Sequence, residues 1–118
     1  MMDHVNQTEL LKTKVLRSLA MAQRAGRLAS GEFMTEKEIQ SFRATLVIVA
    51  EDASEQTKKK FRNKCEFYEI PFVCFSTMGE LGKAIGKEQR ASLALLDEGF
   101  TKAVLTKLEQ IGGMQHEN

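Results

Sequence analysis

A five-residue apolar run near the middle of the chain constrains the fold more than any other feature. Residues 46–50 read Leu-Val-Ile-Val-Ala, and a short run rich in β-branched side chains is typical of a strand that is buried on both faces. It is followed by Glu51, Asp52, Ala53 and Ser54, and a serine in that position can accept a hydrogen bond from a free amide of a following helix. A buried strand that leads into a capped helix predicts an α/β fold. In such folds, ligands bind where the strands end.

Helices and strands alternate along the rest of the chain. Apolar spacing predicts helices over residues 8–25, 31–42, 54–67, 77–86 and 97–112. Strands are predicted over residues 28–30, 46–50, 70–75 and 92–96, the first of them marginal. Asn6 with Glu9 and Thr77 with Glu80 resemble capping boxes, and Gly26 is a suitable end for the first helix. This alternation predicts a three-layer α/β/α sandwich with right-handed crossovers.

The length and composition indicate a single domain over residues 1–118, with an ordered core of about 8–112 and tails at 1–7 and 113–118. No apolar stretch approaches the roughly 18 residues of a membrane span, and the start of the chain lacks the basic and apolar regions of a secretory signal. Cys65 and Cys74 lack the spacing of a metal or redox site. We therefore expect a cytoplasmic protein without a membrane partner or a cofactor, and a monomer rather than an oligomer.

Basic residues are clustered although the net charge is only +1. One cluster lies in residues 12–27, a second in residues 58–64 and a third in residues 83–90. Clusters of this kind suffice for weak, salt-sensitive RNA binding without an excess of charge over the whole protein. They are equally typical of solvated helix faces. The charge pattern alone leaves both interpretations open.

Signatures of catalysis are few. The chain has no G-x-G-x-x-G motif, and Gly86-Lys87 lacks the glycine spacing and the Ser/Thr of a phosphate-binding loop. His4 and His116 fall in the predicted tails, where neither could be positioned as a base. Glu51 and Asp52 could bind Mg²⁺ at a strand end, but a third ligand and a nucleophile are not evident. We expect no catalytic residue and no metal site, and hence no enzyme.

The start of the second predicted helix carries an unusual aromatic residue. Three positions share one helix face and are expected to point to the core: Thr35, Ile39 and Phe42. Phe33 and Lys37 then lie on the opposite, outward face, at a helix amino terminus whose amides favour anions. An exposed aromatic ring one turn from a lysine could receive nucleic acid. The alternative is that Phe33 packs back against Leu28, as a local apolar contact.

Other side chains are expected to be structural. Phe67 and Tyr68 end a predicted helix next to Pro71, and we expect both to cover the core. Cys65 lies one helical turn after Phe61 and Cys74 lies within an apolar strand, so buried, unreactive thiols are expected at both positions.

Four segments carry a family resemblance. They are residues 19–26 (Leu-Ala-Met-Ala-Gln-Arg-Ala-Gly), residues 46–54, Cys65 followed by Ile70 and Pro71, and residues 80–86 (Glu-Leu-Gly-Lys-Ala-Ile-Gly). In this order they resemble the superfamily of ribosomal proteins of the L7Ae and L30e type, which bind kink-turn RNA, and especially its bacterial YlxQ-type branch. The resemblance covers about residues 14–108, nearly the whole predicted fold.

The resemblance implies an α/β/α sandwich with a small mixed sheet of about four strands, which binds RNA at one rim. There the start of the second helix meets the RNA groove, and a loop before the last strand covers an extruded nucleotide. In better-known members this helix start reads Gly, a small hydroxyl residue, Asn, Glu, two variable residues, Lys. Gly31 and Lys37 match, whereas Glu32, Phe33 and Met34 replace the hydroxyl residue, the Asn and the Glu. Asn and Glu read base edges by directional hydrogen bonds, whereas Phe and Met stack or pack.

Two further segments complete the implied site. Glu88 stands where the family has a glutamate, and its neighbours are polar where an apolar cover is usual. Glu51 and Asp52 are retained, with a role in loop geometry as the alternative to RNA contact. The candidate RNA-binding residues are Gly31, Glu32, Phe33, Met34, Lys37, Glu51, Asp52, Lys87, Glu88, Gln89 and Arg90.

The sequence therefore predicts a non-catalytic RNA-binding protein that recognises a structured, kink-turn-like RNA. The partner would be ribosomal RNA or another kink-turn-containing RNA, with the ribosome as a further candidate. The alternative is a protein-interaction module on the same fold, with Phe33 and Met34 as an apolar patch and no RNA binding. A third interpretation is a substrate-recognition domain of the kind appended to RNA methyltransferases.

Overall fold

The computed structural model describes the backbone of residues 4–116 and the side chains of residues 7–113. Within these bounds the chain forms five helices and four strands. In chain order they are α1 (His4–Arg24), β1 (Leu28–Ser30), α2 (Glu32–Gln40), β2 (Leu46–Val49), α3 (Glu55–Tyr68), β3 (Phe72–Cys74), α4 (Met78–Ala84), β4 (Ser92–Leu95) and α5 (Glu98–His116). The predicted alternation of helices and strands is confirmed.

The four strands form one mixed sheet in the order β1-β4-β2-β3. Strand β2 pairs parallel with β3 and antiparallel with β4, which in turn pairs antiparallel with β1. Helices α2 and α3 pack together on one face, and α1 packs with α5 and α4 on the other. The predicted three-layer α/β/α sandwich with a small mixed sheet is confirmed.

The apolar run at residues 46–49 forms the centre of this sheet. All four residues of β2 are fully buried, and so are all four of β4 beside it. Helices cover both faces of these strands, which is why residues 46–49 show no polar alternation. The edge strands β1 and β3 are only three residues long. The paired central strands β2 and β4 therefore form the middle of the core, and the loops that follow and precede them lie at the two ends of the sandwich.

The sheet gives the molecule two different ends. Because β1, β2 and β3 run in the same direction, their carboxyl ends and the starts of α2 and α3 lie together at one end. We call this end the rim; it comprises residues 30–37, 50–53, 76–78 and 87–92. The carboxyl ends of α2 and α3 lie at the opposite end. We call this the far end; it comprises residues 41–45 and 66–71.

Two of the predicted helix caps are present in the structure. The Ser54 hydroxyl accepts a hydrogen bond from the Thr57 amide at 3.0 Å, and the Thr77 hydroxyl accepts one from the Glu80 amide at 3.1 Å. The Glu80 carboxylate accepts instead from the Ser76 hydroxyl at 2.6 Å. The capping box of α4 is therefore joined to the preceding turn.

The predicted first residue of α1 and the predicted last residue of α5 are wrong. Helix α1 begins at His4 rather than after a cap at Asn6, and α5 continues through Gly112 to His116. Both histidines therefore lie in helices rather than in tails. Although a glycine inside a helix costs roughly 1 kcal/mol relative to alanine, α1 and α5 pack against each other, and this packing outweighs the propensity. The rest of the predicted tails, residues 1–3 and 117–118, lies outside the described residues.

Two aromatic residues expected in the core are exposed instead. Helix α2 ends at Gln40, and Phe42 adopts a positive φ of 62° with its side chain 77% exposed. Phe67 is 79% exposed, because it lies on the outer face of α3. Tyr68, as expected, packs against the core. The expectation for Phe42 was wrong because α2 ends before this residue, and the expectation for Phe67 was wrong because its position within α3 faces solvent.

The two cysteines differ in burial. Cys65 is buried as expected, and burial raises the pKa of its thiol to about 11. Cys74 is only half-buried, so the expectation of full burial is wrong for this residue; it lies on the edge strand β3. No helix in the described part of the chain is long and apolar enough to cross a membrane.

Candidate nucleic-acid interface

Helix α2 begins at the rim with an amino terminus that no side chain caps. Gly31 is the N-cap residue, and no side-chain hydrogen bond caps the first amides of the helix. Its φ of 93° is a conformation that residues with a Cβ rarely adopt. The Gly31 amide donates to the Ser92 carbonyl oxygen at 3.0 Å, which fixes the helix start to β4. Because amides at a helix start favour anions, this position can receive a phosphate.

Three side chains of α2 face solvent at this end. Phe33 is 76% exposed and Met34 is 38% exposed, and Lys37 is exposed one turn further on. The predicted outward direction of Phe33 and Lys37 is confirmed. The alternative packing of Phe33 on Leu28 is not observed, since a packed ring would be covered. An aromatic ring, a thioether and an ammonium group thus lie on the open side of the helix start.

Glu32 and Glu36 connect α2 to α3. The Lys60 Nζ lies 2.7 Å from Glu32 Oε2 and 3.1 Å from Glu36 Oε1, and the Lys64 Nζ lies 3.1 Å from Glu36 Oε2. The hydrogen bond from Lys64, and next that from Lys60, lower the pKa of the Glu36 carboxyl. The hydrogen bond to Glu32 raises the pKa of Lys60. We call these ion pairs of Glu32 and Glu36 with Lys60 and Lys64 the α2–α3 tie. The tie occupies the carboxylate of Glu32, one of the RNA-binding candidates predicted from the sequence.

The loop at residues 87–90 is built on helix α4. The Lys87 amide donates to the Gly82 carbonyl oxygen at 2.8 Å, and the Arg90 amide donates to the Met78 carbonyl oxygen at 3.1 Å. A Cβ atom at Gly82 would collide with the carbonyl group of Glu88. Only glycine permits this close approach of loop and helix. The loop therefore has a fixed position at the rim.

The Arg90 side chain joins this loop to the start of α2. Its Nε donates to the Ser30 hydroxyl at 3.1 Å, and its Nη1 donates to the Gln89 carbonyl oxygen at 3.1 Å. Ser30 immediately precedes the N-cap residue Gly31. Two segments that are about sixty residues apart in the chain are thus held side by side.

A groove of about 800 Å³ runs from this contact along the edge strand β1. At the rim it is lined by Ser30, Met34, Lys87 and Arg90. Further along, its cationic lining is Arg27 and Arg43. The Arg43 guanidinium donates to both carboxylate oxygens of the buried Glu38, at 2.7 and 2.8 Å, and lowers the pKa of that carboxyl. Because Glu38 also lines the groove and pairs with Arg43, the cations of the lining that make no ion pair among the described residues are Arg27, Lys87 and Arg90.

Sequence reasoning did not single out Ser30, Glu38 or Arg43 for this region. The basic cluster at residues 12–27 included Arg27, but gave no reason to place it beside the start of α2. The Glu38–Arg43 pair forms across the turn that follows α2. A carboxylate beside the core-facing positions Thr35 and Ile39 was the available signal, since carboxylates are rarely buried without a partner.

The two carboxylates after β2 have separate positions. The Asp52 Oδ1 accepts a hydrogen bond from the Met78 amide at 2.9 Å, so that Asp52 caps the start of α4. Glu51 lines a smaller recess of about 270 Å³ with Lys12 and Cys74. Among the described residues no group of three His, Cys, Asp or Glu side chains is arranged to hold a metal ion.

The rim as a whole unites part of the predicted site. The structure places Gly31, Met34, Lys87 and Arg90 around one edge, with Phe33 and Lys37 exposed on α2 beside it. Glu88 and Gln89 are exposed in the same loop. Such a surface offers helix amides and cations for phosphates and an exposed ring for a base.

Comparison with known proteins identifies the family. The model of the ribosomal protein L7Ae/L30e/S12e/Gadd45 family matches residues 13–105, most of the chain. The chain belongs to this family. The match includes the start of α2 and the loop at residues 87–90, so the L7Ae-type fold carries all of the rim.

Two similar proteins match this chain over most of their length. An RNA-binding protein YlxQ of Bacillus subtilis (strain 168) is 41% identical over 91 residues, which are 77% of this chain and 91% of that protein. An RNA-binding protein YlxQ of Enterococcus faecium is 36% identical over 98 residues, 83% of this chain and 94% of that protein. The predicted membership of the YlxQ-type branch is confirmed.

Solved structures of similar fold are known. A protein of unknown function from Bacillus halodurans C is 38% identical, with a TM-score of 0.78 over 81% of this chain and 97% of that one. A 15.5kD RNA binding protein of Giardia lamblia has a TM-score of 0.72 over 88% of this chain and 89% of that one. Its identity is 18%, so this likeness shows the L7Ae-type fold alone.

Proposed function

We propose that this chain is a non-catalytic RNA-binding protein that recognises a structured, kink-turn-like RNA at the rim. The observation that carries the proposal is the hydrogen bond from Arg90 Nε to the Ser30 hydroxyl. It holds the basic loop at residues 87–90 beside the uncapped start of α2. The similarity to the YlxQ proteins, which are RNA-binding proteins, supports the same conclusion.

The proposed contacts divide between phosphates and bases. Lys37, Lys87 and Arg90 carry the charges for phosphate groups, together with the first amides of α2. Phe33 is free to stack on an unpaired base, since its ring is 76% exposed. Glu32 acts indirectly, by holding α2 against α3. Asp52 positions the rim by capping α4. Stacking by Phe33 and packing by Met34 thus take the place of the directional contacts made by Asn and Glu in better-known family members.

The proposed partner is ribosomal RNA or another RNA that contains a kink-turn. We propose that the chain binds it as a monomer in the cytoplasm, with the ribosome as a further candidate partner.

Titration of a kink-turn RNA duplex at two salt concentrations tests this proposal. Lys37→Ala removes one proposed phosphate contact, so it should weaken binding and reduce the slope of log affinity against log salt by about one. Lys102→Ala is the matched control, because Lys102 is exposed on α5, on the opposite face of the sheet. Absence of binding at low salt, or equal behaviour of the two variants, would contradict the proposal.

A protein-interaction module is the second candidate function. The adjacent exposure of Phe33 and Met34 favours it, because exposed apolar neighbours are typical of interaction surfaces. In this case Phe33→Glu should disrupt a complex or a dimer and leave RNA affinity unchanged. Under the RNA-binding proposal the same variant should weaken RNA binding, since a carboxylate would replace the stacking ring and repel phosphates.

A further inference from the structure

Three aromatic side chains form a cluster at the far end, away from the rim. Tyr68 lies at the centre, with the ring centroids of Phe42 at 5.3 Å and Phe67 at 5.0 Å, both in edge-to-face geometry. Phe42 is 77% exposed and Phe67 is 79% exposed. We call these three residues the aromatic patch. The patch joins the carboxyl ends of α2 and α3 and is not part of the proposed RNA-binding site.

The backbone at the patch is not optimised for the isolated fold. Phe42 and Glu69 follow α2 and α3 in the left-handed region, with φ of 62° and 58°. This position after a helix favours glycine or asparagine, because a Cβ atom is strained there. A bulky ring in this conformation that also remains in solvent adds little to stability. Apart from its edge contact with Tyr68, the Phe42 ring is therefore open to contact with another molecule.

The electrostatic surroundings of the patch favour a cation. Glu66 and Glu69 are exposed on either side of Phe67 and Tyr68, and neither has an ion-pair partner in the described part of the chain. The last turn of α3 has no basic residue to offset its carbonyl groups. Of the nearby cations, Arg43 pairs with Glu38 and Lys64 pairs with Glu36. Arg62, one turn before Glu66, lies over the Phe72 ring, so that two carboxylates stand against one guanidinium group without an ion pair in the described part of the chain. The uncompensated charge at the patch is negative.

We propose that the aromatic patch is a docking surface for an arginine-rich protein segment. A guanidinium group stacks on aromatic faces and binds carboxylates at the same time, and the patch presents both partners together. The same helix already shows this contact, since the Arg62 guanidinium lies 5.2 Å from the centroid of the Phe72 ring. The unpaired Glu66 and Glu69 disfavour RNA here, because carboxylates repel phosphates.

The chain contains a natural probe of this surface. Tyr68 is the only tyrosine and there is no tryptophan, so intrinsic fluorescence above that of phenylalanine reports on the patch. Titration with a synthetic peptide of alternating arginine and glycine should change the Tyr68 emission in a saturable way. A second peptide with lysine in place of arginine should bind at least about threefold more weakly, because ammonium groups do not stack.

Anisotropy of the dye-labelled arginine peptide gives the affinity of each variant. Phe67→Ser removes an exposed ring without opening the core, and should weaken binding by about threefold to fivefold. Glu69→Gln should weaken binding and reduce its dependence on salt. Phe33→Ser is the matched control, since its ring is equally exposed at the rim, and it should leave peptide affinity unchanged. These measurements stand apart from RNA binding, so either proposal can fail alone.

Several results would overturn the proposal. Equal affinity for the lysine peptide, or an unchanged affinity of Phe67→Ser, would show that the rings are not used. A saturable change of Tyr68 emission with a single-stranded uridine oligonucleotide would assign the patch to nucleic acid. Reversible dimerisation abolished by Phe67→Ser would assign it to a second copy of the chain.

Discussion

At the scale of single residues, the carboxylates of the rim show how similar side chains take different roles. Asp52 caps α4, Glu32 binds Lys60, and Glu51 lines a recess away from α2. The sequence could name Glu51 and Asp52 as neighbours of a strand end, but their side chains diverge. Which backbone amide lies next to a carboxylate depends on a loop from elsewhere in the chain. Local sequence does not contain that information.

The structural role of Asp52 gives the first prediction. Asp52→Ala removes the acceptor of the Met78 amide and should lower the free energy of unfolding by about 1 kcal/mol. Asp52→Asn keeps an acceptor and should recover most of this loss. Urea unfolding of the variants measures both effects.

Glu51→Ala is the matched control for Asp52, and it should change stability by less than about 0.5 kcal/mol. Equal losses at Glu51 and Asp52 would show that the Asp52 cap contributes nothing of its own.

At the scale of elements, the sequence predicted those features that local chemistry decides. The buried run of β2, the Ser54 cap of α3 and the outward direction of Phe33 follow from residue type and spacing, and the structure shows all three. The predicted ends of α1, α2 and α5 were wrong. Packing between α1 and α5 extends these two helices, and a left-handed residue, Phe42, follows the end of α2. Contacts between elements, such as the Arg90–Ser30 hydrogen bond, lay outside the reach of spacing and residue type.

The α2–α3 tie predicts a pH dependence of stability. Because the pKa of Glu36 is lowered in the folded chain, its ion pairs contribute stability above the ordinary value of 4.5, and this is lost as the pH falls through the folded pKa. From about pH 6 to about pH 3, Glu36→Gln should therefore lose less free energy of unfolding than the parent chain, by about 1 kcal/mol. Urea unfolding across this range is the measurement.

Glu55→Gln serves as the comparison for Glu36, since it removes an exposed pair with Lys58 within α3. Its pH profile should stay close to that of the parent chain. Superimposable profiles for Glu36→Gln and the parent would show that the tie between the helices does not contribute.

Two glycines of α4 give a matched pair of predictions about the loop at residues 87–90. Gly82→Ala places a Cβ against the Glu88 carbonyl group, so it should displace the loop and destabilise the fold by about 1–3 kcal/mol. Gly79→Ala meets no atom within 4 Å and should be neutral or slightly stabilising. Under the RNA-binding proposal, Gly82→Ala should also weaken RNA binding. Thermal unfolding and RNA titration of the pair would contradict this account if both variants behaved alike.

At the scale of the whole molecule, the fold separates two surfaces of different chemistry. The rim collects helix amino termini and basic groups, and the far end collects helix carboxyl ends, exposed rings and unpaired carboxylates. The net charge of +1 gives no sign of this separation, because a sum over the chain does not say where each group lies. It becomes visible only when the strand directions are known, since they decide which loops meet.

Amide chemical shifts of the isotope-labelled protein, recorded while a kink-turn RNA duplex is added, test the central claim most directly. The account predicts that the largest shifts lie at Gly31, Phe33, Lys37 and the loop at residues 87–90, and that Tyr68 and its neighbours at the far end stay unchanged. Shifts centred on the far end, or none at low salt with a correctly folded duplex, would contradict it.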